Sequence, residues 1–164
     1  MGIVLPGEVA HLLNMLGFSW PNTDESDVFS KGSEWLSFAQ TAAGSAQQAE
    51  SAAQHVLGTN EGPAMEAFST AFSSGEDSVQ QVVQQISNGS SIVGGCMMVM
   101  AGVIIALKIV VITQLVLLAI QIASAIAAAV PTCGASLGWI PVAKIIAGRV
   151  IEFAINFALE KLMG

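Results

Sequence analysis

Basic residues are scarce in this 164-residue chain: five Lys and Arg stand against twelve Asp and Glu, a formal net charge of −7. Sequence-independent nucleic-acid binding neutralises phosphates with clustered Lys and Arg, so that function class is excluded. Histidine is limited to His11 and His55, neither with a second His, Cys or paired carboxylate at a ligand spacing, so no metal is expected. The P-loop, G-x-G-x-x-G and G-x-S-x-G patterns are missing, and Ser87 to Ser91 reads as linker rather than nucleophile. The acidic run Asp24 to Asp27 reads as a solvated helix start, not a metal loop. No catalytic residue, cofactor or small-molecule substrate is expected; the chain is read as a non-enzyme.

Only two cysteines are present, Cys96 and Cys133. One helix joining them would separate them by roughly 50 Å, at about 1.5 Å per residue. A disulfide spans only about 4.4–6.8 Å between Cα atoms, so buried or unpaired thiols are expected. The opening residues "MGIVLPGEVAHLL" lack the positive segment of a cleaved signal peptide. Pro6 occupies the place where a myristoylation signal carries Ser or Thr. The expected location is outside the cell without a Sec signal, or at the membrane and cell envelope.

What the chain has in plenty is apolar surface. Hydrophobic residues make up 53% and charged ones 10%, against about 25% charged in an average domain. The charge is uneven: residues 1–90 hold ten of the twelve carboxylates and Lys31 alone among the bases, while residues 91–164 are net positive. This suggests an acidic helical module at 1–90 and a hydrophobic helical region at 91–164, either packed on the first or seeking a membrane.

The periodicity predicts an all-α fold. Val9, Leu12, Leu13 and Leu16 form one stripe of a short helix ended by Gly17, and Thr23 or Asp24 is placed to cap the next. Val28, Gly32, Trp35, Ala39, Ala42, Ala46, Ala49, Ala53 and Val56 alternate at spacings of four and three. That is a heptad seam, and its alanines require a partner helix to approach closely. "GTNEGP" then stops the helix, and Pro63 sits where a new one starts. Met65, Phe68, Phe72, Gly75, Val79, Val82 and Ile86 form a second seam, bulky enough to fill the space beside the alanines. The expected fold is an antiparallel hairpin of helices at about 24–57 and 63–87. It is followed by a long hydrophobic helix at about 95–130 and an amphipathic one at about 141–163. The stretch "SNGSSIVGG" at 87–95 reads either as a loop or as continuous, weakened helix.

Gly62-Pro63-Ala64-Met65-Glu66-Ala67-Phe68 resembles the "G-x-A-x-x-A-F" half of the WxG motif, which marks hairpin proteins exported by type VII (ESX) secretion systems. The likeness extends to the longer WxG-like modules at the amino terminus of actinobacterial polymorphic toxins. These carry a "PG" start (Pro6-Gly7), a "GFxWP" turn (Gly17 to Pro21), a Trp-bearing first helix (Trp35) and a "K-x-x-V-I-x-Q-L" segment (Lys108 to Leu115). Asn60 replaces the motif's Trp, and the tyrosine of the family's secretion tag has no counterpart, since the chain contains no tyrosine. Residues 1–164 accommodate the module without a toxin domain, as a stand-alone protein or an excised piece. The resemblance implies an interface built on Trp35 and on the elbow residues Asn60, Gly62, Pro63, Phe68 and Phe72. It also implies pairing with itself or with a WxG-like partner, and a role in targeting or delivering a toxin. One relative, the amino-terminal domain of the mycobacterial necrotizing toxin, is described as a membrane channel.

Residues 109–130 are free of charge and long enough to span a bilayer. Two readings follow. In one, the greasy helix inserts into lipid as part of a pore-forming oligomer, with Lys108 near an interface and Leu117 in the span. In the other it is covered by protein, and Gln114 and Gln121, seven residues apart, bond across a bundle. A third alternative is a structural subunit of a helical assembly.

Overall fold

The computed structural model describes residues 2–20, 23–74 and 78–163. Every regular element among them is helical: α1 (Gly7–Met15), α2 (Glu25–Thr59), α3 (Pro63–Ser73), α4 (Val79–Ala127), a 3-10 turn (Ala135–Gly138) and α5 (Trp139–Met163). The all-α expectation therefore holds. The chain forms two compact units, Met1–Asp27 with Met100–Gly164, and Val28–Val99.

In the first unit α1 closes with a Schellman arrangement. Gly17 adopts φ +85°, its N–H donates to the Asn14 carbonyl at 3.0 Å, and Phe18 N–H donates to that of Leu13 at 3.2 Å. Pro21 of the "GFSWP" turn lies outside the described residues. Asp24 caps α2, its Oδ1 accepting from Ser26 N–H at 2.9 Å. The core joins Leu5, Leu13, Val111, Leu115 and Ile151, with Phe18 and Trp20 packed against it. Leu118 meets Ala143 and Ala147, so α5 runs antiparallel to this part of α4.

In the second unit α2 and the start of α4 pack antiparallel, Gly32 against Gly94 and Ala39 against Ser87. The approach is as close as the alanine seam requires. A Cβ on Gly94 would lie 2.8 Å from the Gly32 carbonyl oxygen, and one on Gly32 would lie 2.9 Å from that of Gly94. Ser87 Oγ donates to the Ala39 carbonyl at 2.9 Å, so burying this hydroxyl leaves nothing unpaired.

The second seam differs from the expectation. Its limb is two helices, because Ser74 takes an extended backbone (φ −117°, ψ 127°) and ends α3. Gly75 of the expected seam lies outside the described residues. On α4 the buried positions are Ser87, Ser90 and Gly94 in place of Val82, Ile86 and Val93. Small residues won these positions because the backbones come too close for branched side chains. Residues 87–95 are helical throughout, and α4 runs unbroken to Ala127.

Candidate functional site

The elbow between α2 and α3 is built by residue type. Gly62 adopts φ +119°, a conformation that side-chain-bearing residues rarely take. Pro63 follows at the first helical position, and Met65 N–H donates back to the Gly62 carbonyl at 2.9 Å. Asn60, in the motif's Trp position, closes the end of α2 by donating from Nδ2 to the Val56 carbonyl at 2.9 Å. Leu57, Asn60, Gly62, Met65, Glu66 and Ser69 line a shallow recess here. The Phe68 and Phe72 rings stack with centroids 5.8 Å apart, Phe68 exposed and Phe72 half-buried. No described residue of α3 is buried, so neither ring is the core knob that the spacing predicted.

Two further apolar features of this unit face outward. Trp35 and Phe38 meet edge to face at 6.2 Å, and with Glu34 they line a second recess. On α4, Val79, Val82, Ile86 and Val93 are 51%, 40%, 46% and 41% exposed, with Gly89 and Cys96 exposed between and beyond them. Their spacing is 3, 4, 3, 4, 3, a heptad seam left largely in solvent.

The other group of sequence-identified residues falls in the first unit. Lys108 is only 2% exposed. Its Nζ donates to Glu25 Oε2 at 2.6 Å and to the Thr23 carbonyl at 2.8 Å, and lies 5.6 Å from the Trp20 ring centroid. Ile3 N–H donates to the second Glu25 oxygen at 2.7 Å. Hydrogen bonding from Lys108, then from the backbone, holds the Glu25 carboxyl below its ordinary pKa. Glu25 is thus not a solvated helix-start carboxylate but the buried counter-ion of α4. Gln114 is half-buried, while Leu117 and Gln121 are exposed. Both thiols are free and exposed.

Sequence reasoning found Lys108 but missed Glu25. A lone charge on an apolar helix signals that a partner exists, yet nothing in local spacing says which of twelve carboxylates it is. Among the described residues, no group of three or more His, Cys, Asp or Glu is arranged to hold a metal ion.

The model of the WXG100 like domain family matches residues 5–150 of the chain. No curated protein and no solved structure matches it. Members of that family are non-enzymatic helical proteins of type VII secretion, exported without a signal peptide, and they typically self-associate or pair with a partner. A match over residues 5–150, on an all-α chain with a glycine-proline elbow between its first long helix and the return limb, places this protein in the WXG100-like family.

Proposed function

We propose that this chain is a targeting module of type VII secretion that works by association, through the exposed seam at the start of α4. It serves to deliver a toxin. The observation that carries the reading is the regular exposure of Val79, Val82, Ile86 and Val93. A monomer gains nothing by placing branched side chains at heptad spacing in water, whereas a second helix laid there buries them all.

Charge supports the same place. Residues 28–99 carry Lys31 against six carboxylates, so two copies repel over most of their surface. Residues 79–99 contain no charged side chain, only Gln, Asn and Ser around the apolar seam, and two copies can meet there without repulsion. The elbow residues Asn60, Gly62, Pro63, Phe68 and Phe72 form a second contact region for a WxG-like partner, and Trp35, about 37 Å back along α2, belongs to a third.

Sedimentation of the purified chain tests this directly. Wild type is expected to associate at micromolar concentration. Val82→Asp with Ile86→Asp is expected to give a monomer with unchanged helical circular dichroism. A double variant that associates like wild type would remove the α4 seam from the account. Phe68→Asp with Phe72→Asp is expected to reduce export or partner pairing while leaving self-association in place.

A second reading has its own support. α4 contains a stretch long and apolar enough to cross a membrane, and only 22% of that window is buried. We infer that this helix is able to exchange its present neighbours for lipid, as the channel-forming reading requires.

A further inference from the structure

In the first unit α4 and α5 leave an open groove of about 330 Å³. Val103, Leu107 and Val110 line one wall, Val150, Phe153 and Phe157 the other, and Ala106 and Ala154 also face it. Every lining side chain is apolar except Lys161. Because α5 runs antiparallel to α4, Lys161 stands at the end of the groove nearest Val103. Its Nζ lies 5.5 Å from the Phe157 ring centroid, and it makes no ion pair among the described residues. A long apolar trough thus ends in one cation with no counter-ion among the described residues.

We propose that this groove binds a single-chain anionic amphiphile of the fatty-acid class, the hydrocarbon lying between α4 and α5 and the carboxylate meeting Lys161. Three features select this occupant. The lining offers no hydrogen-bonding group along its length, so the ligand's body must be hydrocarbon. The volume sits at the lower end of the range for small-ligand pockets, which suits one acyl chain rather than two. The ammonium at the end supplies the only polar contact, and it selects a negative head.

The test uses the full chain and dodecanoate below its micellar concentration, followed by calorimetry. One-to-one binding is expected, and decanoate should bind about fifteenfold more weakly, since each buried methylene changes affinity about fourfold. Dodecylammonium should bind less well than dodecanoate, and Lys161→Glu should reverse that order. Ala106→Trp and Ala154→Trp fill the groove from opposite walls, and both should abolish binding while circular dichroism stays unchanged. The two sites guard against one variant failing to fold. Binding that survives both tryptophans, or that ignores head-group charge or chain length, overturns the proposal. So does a result in which the tryptophans disperse an oligomer while wild type shows no uptake of dodecanoate, because the occupant is then another copy. Failure here leaves the α4 seam untouched, since that reading depends on residues 79–99 alone.

Discussion

The Lys108–Glu25 pair shows how one side chain constrains a whole helix. An ammonium buried alone would cost several kcal/mol, and the charge stays only because Glu25 and the Thr23 carbonyl receive it. Removing one member leaves the other charge buried, so Lys108→Met is expected to destabilise folding by about 3–5 kcal/mol, read from the urea midpoint. The double replacement Lys108→Met with Glu25→Gln should recover most of that loss, because no uncompensated charge remains. If the double variant is as unstable as the single, the pair acts through packing rather than charge. The pH dependence follows from the lowered Glu25 pKa. A carboxylate whose folded-state pKa lies below its unfolded value of about 4.3 contributes stability above that value, and loses it as pH falls through the folded one. The urea midpoint of wild type should therefore drop on acidification below about pH 4, and that of Glu25→Gln should drop less. At this scale Lys108 was legible in the sequence as the one charge of an apolar run. Its partner was not, because a contact 83 residues away leaves no local pattern.

Among elements, what the sequence made plain was type and order; what it hid was phase. The alanine seam of α2, the stop at Gly58 to Pro63 and the C-terminal helix α5 all follow from local chemistry, though α5 buries Ala143, Ala147, Ile151 and Ala158 and leaves Ile145, Phe153 and Phe157 exposed. The break at Ser74 does not, because Ser-Ser-Gly reads as tolerable in a helix and the apolar stripe continues through it. The expected seam is left unburied on both sides of that break, and on α4 Ser87, Ser90 and Gly94 turn inward instead. The packing predicts its own weak point. Gly94→Val sets a branched side chain against the Gly32 carbonyl and Leu36, with neither backbone free to give way, and should cost about 1–3 kcal/mol. Gly95→Val, one residue along in open space, should cost far less. Equal thermal melting of the two variants would mean that the glycine contact does not form in solution. Gly62→Ala probes the elbow differently. Nothing crowds that site, so its expected loss of about 1–3 kcal/mol comes from the positive φ with extended ψ alone.

For the whole molecule the deciding quantity is apolar surface left in water. Val99, Ile109, Ile120, Ile126 and Ile145 are each more than half exposed, far beyond scattered surface hydrophobes. Another copy, a partner or a bilayer must cover them, and Leu117 separates the last from the others. This residue is 46% exposed on α4, so Leu117→Asp should change folding stability by no more than about 0.5 kcal/mol. In the centre of a membrane helix the same aspartate costs about 2.5–3.5 kcal/mol, which lowers insertion on the order of a hundredfold. Dye release from liposomes by the purified chain, wild type against Leu117→Asp at equal helicity, reads that difference. A steep loss of release in the variant places α4 in the hydrocarbon. Release that does not change, or no release from wild type, confines α4 to contacts between protein surfaces. The exposed residues of α4 are then a continuation of the association surface that begins at Val79.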